Sequence, residues 1–376
     1  MSGGGTLFAI IGQASPPLLK ASWRLWSTSL LQAPWFCWQL RALMRAGDAA
    51  AVRSFRSSLW KLCVIGVVLA AHFGCWVWAI DHTSLAHSLL FVSAHPVILI
   101  LAAWVVWAGW FCCFRGAAAA VPEADGVVPQ AAPGATGPDG PRRPSALESA
   151  GTAIGCVGAA LMVALVDTSS SPVTVAGDAV ALGGAAAMAV YLTAGRHFRS
   201  RVRLPLFLYA FPVTLSAAMV ATAASLAAEG PSHGVAFGGP PSVGVFGWLR
   251  DGRLAAVVVA LGMVSGILGH TLANLALARL SPLVVSVGLL LEPLAGSVIG
   301  YAAGVQEVPQ PWTFGGGAIL LIGAGLVTIG GDRAAPPPAL DQAERTPHVR
   351  LKSDGSTQPE VELAGPSAEA PADAES

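Results

Sequence analysis

The sequence predicts an all-α integral membrane protein made of two inverted five-helix repeats: nine clear transmembrane helices plus an N-terminal helix stub. Three observations carry this. Of 376 residues, 54% are hydrophobic and only 11% charged, with a mean hydropathy of +0.63, against roughly 25% charged in an ordinary soluble domain. Apolar runs recur that are long enough for a bilayer core, which needs about 20 residues per helix. The second half of the chain also repeats features of the first at fixed offsets.

In chain order, residues 6–14 are apolar but too short to cross. They read as the stub of a tenth helix, either lost from the chain or continued upstream of Met1. A Trp-rich run at 17–40 follows Pro16. Runs at 60–80, 85–111 and 149–166 complete the first half, and runs at 174–195, 204–228, 253–277, 283–304 and 313–331 make the second. Residues 116–145 are Ala, Pro and Gly with scattered charge, and 334–376 are Pro-rich with an acidic bias. Neither stretch can bury enough apolar surface to fold. The predicted organisation is a first repeat at 1–114 (stub and helices to the fourth), a disordered cytoplasmic loop at 115–147, the last helix of that repeat at 148–168, the second repeat at 174–331, and a disordered acidic cytoplasmic tail at 332–376.

Basic residues prefer cytoplasmic loops. The nine-helix map puts seventeen of the 21 Lys and Arg on one side and leaves Lys20, Arg24, Arg250 and Arg253 on the other. The C-terminus is therefore predicted to be cytoplasmic, in a plasma or organelle membrane. The first fifteen residues lack the basic n-region and the h-region of a cleaved signal. The six cysteines form no C-x-x-C pair and read as small apolar residues, so no metal or disulfide framework is expected. The single asparagine, Asn274, is followed by Leu and Ala, which leaves no N-glycosylation acceptor.

The internal repeat is the most informative feature. At an offset of 197, Ala79 meets Ala276, Ser84 meets Ser281 and Pro96 meets Pro293. At an offset of 165, Gly151 meets Gly316, Gly158 meets Gly323 and Asp167 meets Asp332. The offset falls because the loop after Trp110 has no counterpart later. Five helices per half, counting the stub, put the halves in opposite orientations, as in many secondary transporters with a midplane site.

The stretch 252–331, with its "LARLSP" turn, "LLLEPLAGSVIGY" helix and "FGGGAILLIGAGLVTIGG" ending, resembles the second repeat of the drug/metabolite transporter superfamily, EamA type, related to the nucleotide-sugar and triose-phosphate transporters. "GDAVALGGAAAMAVYLTAGRHF" from Gly177 is similar to the opening helix of that repeat. The first half resembles it through "ASPPLLKASWRLW", "WAIDHTSLAHSLLFVSAHPVILIL" and "SAGTAIGCVGAALMVALVD". The resemblance covers about 14–110 and 148–331. It implies a ten-helix transporter with both termini cytoplasmic, a cavity lined by the first four helices of each repeat, and relatives that move amino acids, other metabolites, nucleotide sugars or sugar phosphates. The sequence departs from the pattern in its missing first helix and in His95, where the second half has Glu292.

Polar residues at membrane depth are costly and so mark candidate sites. Glu292 lies deep in an apolar run before Pro293, which frees a backbone carbonyl; it either faces the cavity or bonds freed backbone groups at the kink. His95 before Pro96 is its repeat equivalent, and His87 and Ser88 lie two turns earlier on roughly the same helix face. His270 and Asn274 are four apart and share a face, as a substrate-contacting pair or as interhelical glue. Lys20 and Arg24, also four apart, grip a phosphate or carboxylate or snorkel to the interface. His72 reads as a packed histidine. Pro96 and Pro293 are expected as kinked gate elements.

The function expected is secondary transport of a small organic metabolite by alternating access, with Glu292 and the membrane histidines as candidate proton carriers. No P-loop occurs, so a gradient or exchange drives it. No catalytic residue, metal or cofactor is expected. The expected partners are the metabolite, the lipid bilayer and a second copy in a homodimer, with no nucleic acid. The alternative is a non-transporting scaffold or receptor derived from a transporter fold. A membrane enzyme would need clustered carboxylates, a zinc-type His-x-x-x-His or a Ser/His pair at depth, and beyond scattered histidines none is present.

Overall fold

The computed structural model describes residues 7, 10–11, 14–83, 85–119, 142–164, 174–291, 301–302 and 311–333. The segments expected to be disordered lie mostly outside these residues. Within them the architecture is all-helical, with a lone bridge between Ala236 and Gly244 as the one strand-like pairing described. Six segments are long and apolar enough to cross a membrane: Ala49–Ala79, Leu90–Trp110, Val175–Arg201, Leu206–Ala228, Gly252–Ala276 and Phe314–Gly331. Ala146–Leu161 is a shorter apolar helix. The described residues thus carry the helices of a multi-pass membrane protein.

Helix α1 spans Pro17–Arg45, with Pro at its first position, where the missing N–H removes nothing the helix uses. Its next free donors, the Leu18 and Leu19 amides, go to the Glu229 carboxylate at 2.7 and 2.9 Å. One helix thus caps another. α2, Ala49–His82, starts at Asp48, whose side chain accepts from the Ala50 and Ala51 amides. Both helices exceed the lengths expected from apolar runs alone, because their polar ends continue the hydrogen-bond ladder beyond the apolar core.

The run expected as one helix over 85–111 is two: α3, Leu85–Val92, and α4, His95–Ala119. Pro96 has no N–H to return to the Val92 carbonyl, and the chain turns at Ser93 and Ala94, the Ala94 amide bonding the Phe91 carbonyl at 3.1 Å. α5 spans Ala146–Ala164 and α6 Val175–Arg196, the latter running on as a π-turn over His197–Arg201. α7 spans Leu206–Ala228. α8 covers Gly252–Ala276 and is π-helical over Gly262–Thr271. α9, Pro282–Leu289, and α10, Pro311–Arg333, complete the bundle.

α3 and α9 are each eight residues long, and their first and last residues are separated by the offset of 197 read from the sequence. The glycines matched at 165 meet in space. A Cβ on Gly151 would lie 2.7 Å from the Gly323 carbonyl oxygen, and one on Gly158 would lie 2.6 Å from that of Gly316. The pairing is antiparallel and reciprocal, each glycine of one helix meeting the counterpart of the other's partner. The main apolar core lies elsewhere, where α2, α6 and α7 pack through residues such as Leu62, Leu69, Met188, Leu192, Leu208 and Val213.

Candidate functional site

α1 buries a run of polar side chains beside apolar ones such as Leu19, Trp23 and Leu25. Its buried residues include Ser22, Arg24, Ser27, Thr28, Ser29 and Gln32, while Leu30, Trp35, Trp38 and Met44 are exposed. Polar side chains buried in this way need partners inside the bundle. The buried face meets α8 at two glycines. A Cβ on Gly262 would fall 2.1 Å from Ser27 Oγ, and one on Gly266 would fall 2.0 Å from Thr28 Oγ1. At that separation Ser27 Oγ donates to the Val258 carbonyl at 2.9 Å. Wide π-helical turns, frequent at functional sites, run along this contact, and Thr271 Oγ1 donates to the Gly266 carbonyl five residues back at 3.0 Å.

Arg24 is 3% exposed, so it does not snorkel. Its guanidinium donates to the Ser265 carbonyl at 3.3 Å and lies 4.3 Å above the Phe73 ring. This removes Arg24 from the four basic residues first assigned to one face of the membrane and puts it in the interior. Lys20, one turn nearer the helix start, is half-buried.

Beyond Phe73 the interior stays polar and aromatic. The His270 ring meets Phe73 edge-on at 5.4 Å and Tyr191 at 6.0 Å. Asn274 Nδ2 donates to Tyr191 Oη at 2.6 Å and to the His270 carbonyl at 2.9 Å. Gln32 Nε2 donates to Thr271 Oγ1 at 3.0 Å. Yet both His270 ring nitrogens, Gln32 Oε1, Asn274 Oδ1 and Tyr209 Oη have no hydrogen-bond partner among the described residues, though all are buried. Buried polar atoms are nearly always satisfied in folded proteins, so such a concentration on facing helices sets this part of the bundle apart.

The other candidates separate from this cluster or only border it. His95 Nδ1 bonds Ser286 Oγ on α9 at 2.5 Å, and His72 Nδ1 bonds the Gly184 carbonyl at 2.9 Å. Both histidines are therefore engaged. Ser88 is fully buried, and its hydroxyl reaches the Trp76 carbonyl at 3.5 Å. The helix break at Ser93 and Ala94 means that His87 and Ser88 do not share one helix with His95, contrary to the expected strip. Of His87 only the backbone is described, and Glu292 and Pro293 lie outside the described residues.

Both ends of the cluster are covered. At the start of α1, Trp23 packs with Trp248, Val245 and Val258, and its indole donates to the Gly244 carbonyl at 3.1 Å. At the other end, Arg196 donates to the Leu277 carbonyl at 3.0 Å and Arg199 Nε to that of Asn274 at 3.1 Å, holding the last carbonyls of α8. Two open grooves lie apart from the cluster. One, about 350 Å³, is lined by Pro34, Cys37, Trp38, Arg41, Ala42 and Arg45. The other, about 740 Å³, lies beside Trp104, Arg143 and Ser149. Both sit on helix surfaces, and neither touches His270 or Arg24.

Gln32, Tyr191, Tyr209, Thr271 and Phe73 went unmarked in the sequence. One signal for α1 was present: Arg24, Thr28 and Gln32 follow one another at four-residue spacing within a membrane-length helix.

The sequence matches no family model and no curated protein. The fold has solved counterparts. One crystal structure of a protein superposes with a TM-score of 0.59 over 89% of this chain and 94% of its own, at 18% identity. The likeness is one of fold.

Proposed function

We propose that the chain is a multi-pass secondary transporter of a small organic metabolite, working by alternating access between two inverted repeats. The single observation that carries the reading is the buried cluster on α1, α6 and α8, where His270, Gln32 and Asn274 keep hydrogen-bonding atoms unmet inside an apolar bundle. Intramembrane polar groups of this kind mark solute pathways.

Repeat symmetry supports the mechanism. α3 and α9 keep the same bounds at an offset of 197. The reciprocal Gly151–Gly323 and Gly158–Gly316 contacts are those of two elements related by a pseudo-twofold. Asp48 and Asp251 cap α2 and α8 in the same way, each accepting two amides. In this proposal the halves rock about the cluster, the break before Pro96 and the kink expected at Pro293 act as gates, and the C-terminus is cytoplasmic. The EamA-type resemblance belongs to the same proposal.

The test is reconstitution into liposomes and counterflow of labelled amino acids, nucleotide sugars, sugar phosphates and simple organic acids. Saturable exchange is the expected result. No exchange of any solute by folded protein would refute transport and favour the scaffold reading.

A further inference from the structure

We propose that the groove along the outer face of α1, from Pro34 to Arg45, holds an anionic phospholipid, with Arg41 and Arg45 on its phosphate and Trp38 against the start of its chains. The inference rests on the chain being a multi-pass membrane protein and is independent of what it transports.

Position is the first argument. α1 turns back into α2 through Gly47, which has a φ of 67°, and the two helices meet along part of their length. Residues equally far from that glycine therefore stand at similar levels. Arg41 and Arg53 are each six residues from it, Trp38 and Arg56 nine, and Trp35 and Trp60 twelve and thirteen. The head of the hairpin is a band of cations with a band of tryptophans beneath it, the order found where a membrane meets water. At this same end begins Ala49–Ala79, one of the segments long and apolar enough to cross.

Charge is the second. Residues 41–61 carry Arg41, Arg45, Arg53, Arg56 and Lys61 against a single acid, Asp48. Asp48 Oδ1 accepts the Ala50 and Ala51 amides at 2.9 and 3.0 Å. Among the described residues no carboxylate forms an ion pair with these four arginines, all of them exposed, whereas Arg142 is paired with Glu148. Basic clusters of this kind beside a membrane helix attract anionic lipid.

Shape is the third. Arg41 and Arg45 line a groove of about 350 Å³ together with Pro34, Cys37, Trp38 and Ala42. These residues make one stripe of α1 at three- and four-residue spacing. At 1.5 Å per residue the stripe runs about 16 Å, against roughly 5–8 Å for the headgroup layer on each side of a bilayer. The groove therefore reaches from the headgroup layer into hydrocarbon, and Trp38 in its apolar half is 63% exposed. A second copy docked on this stripe about a twofold would bring two sets of the same arginines together with no carboxylate between them. An acidic peptide would answer the charge but leave Pro34 and Trp38 uncovered. A phospholipid meets both halves, since two guanidinium forks four residues apart suit its phosphate oxygens.

The experiment uses the full chain, purified in detergent and stripped of lipid, with bound lipid read by native mass spectrometry. Phosphatidylglycerol and phosphatidylserine are the anionic probes and phosphatidylcholine the neutral one. Both anionic lipids are expected to bind about 10-fold tighter than phosphatidylcholine. The Arg41→Gln, Arg45→Gln double variant should weaken phosphatidylglycerol binding about 10- to 30-fold, at about fivefold per cation near a charged surface. Arg53→Gln with Arg56→Gln removes the same charge outside the groove and should weaken it less than about threefold. All four side chains are exposed, so both double variants should fold, with a lipid-free thermal midpoint equal to the parent's. Equal affinity for phosphatidylglycerol and phosphatidylcholine would overturn the inference. Equal losses in the two double variants would also overturn it, leaving a diffuse basic edge in place of a site. So would displacement of phosphatidylglycerol by millimolar inorganic phosphate, which would make the groove a site for the free anion. A dimer that Trp38→Ala converts to monomer, with lipid binding unchanged, would assign the stripe to a second copy instead.

Discussion

Along α5 and α10, Gly151, Gly158, Gly316 and Gly323 bring two backbones into contact, and the surrounding core is apolar: Leu320, Val327 and Ala159, with Val287 and Leu290 of α9. Along α1 and α8, Gly262 and Gly266 bring two backbones equally close, but the side chains filling the seam are Ser27 and Thr28, with Arg24 and Gln32 on either side. Among the described residues the first seam leaves no buried side-chain polar atom unmet, and it can serve as a fixed strut. In the second, backbone carbonyls take up hydroxyl and guanidinium donors while His270, Gln32 and Asn274 keep open valences. Small residues allow close approach in both; whether a seam holds or binds depends on what stands beside the glycines.

The largest effect should come from breaking the strut. A Cβ on Gly323 would lie 2.4 Å from the Gly155 amide nitrogen and 2.6 Å from the Gly151 carbonyl oxygen, backbone atoms that cannot rotate aside. Gly323→Leu should therefore lower stability by about 3 kcal/mol, the upper range for overpacking, seen as a reduced thermal midpoint in detergent. The fraction that stays folded should keep its solute affinity. An unchanged midpoint would mean that the two helices do not meet through these glycines.

Glu229→Ala tests how the binding seam is anchored. It strips the acceptor from two amides of α1 and from Ser225 Oγ, and orphaned donors near a helix start should lower stability by about 1–3 kcal/mol. Glu229→Gln, which keeps one acceptor oxygen, should recover part of that loss. Equal losses in both variants would point to the carboxylate charge at the helix N-terminus as the contribution that matters.

His270→Phe should move stability and function in opposite directions. Removing two buried, unpartnered ring nitrogens should leave the thermal midpoint unchanged or raise stability by about 0.5–2 kcal/mol, the gain commonly found where a functional site carries stored destabilisation. Exchange should fall at the same time. A large loss of stability would instead make His270 a packing residue like His72.

The two seams were unequally legible in the sequence. The α5–α10 glycines announce themselves as a repeat, and symmetry alone pairs Gly151 with Gly316 and Gly158 with Gly323. That they would pack crosswise follows from antiparallel helices and needs the fold. The binding seam was half visible. Arg24, His270 and Asn274 stood out as polar residues in apolar runs, but a sequence window cannot tell a cation that reaches outward from one that reaches inward, since both lie equally near a helix start. Tyr191 and Phe73 look like ordinary apolar residues until His270 is seen to lie between them. The π-helical turns of α8 run along its contact with α1, which a sequence window does not contain. The break before Pro96 was legible as a kink, but its consequence, the separation of Ser88 from His95, was not.

The smallest change offers the finest test of where the binding seam opens. Gly195 on α6 faces Asn274 Oδ1 and Tyr209 Oη, two atoms without partners, and a Cβ there would stand 3.2 Å from each and 2.9 Å from Leu277 Cδ1. The closest of these atoms is the end of a flexible side chain, so Gly195→Ala should change stability by less than about 1 kcal/mol, its lower helical entropy offsetting part of the crowding. The methyl would nonetheless fill the space between the two unmet oxygens. If the cluster exchanges solute or water through that space as the halves rock, exchange should slow several-fold while equilibrium binding of the solute is unchanged. Equal rates in Gly195→Ala and the parent would direct the path elsewhere, toward the start of α1 and the cover formed by Trp23 and Trp248.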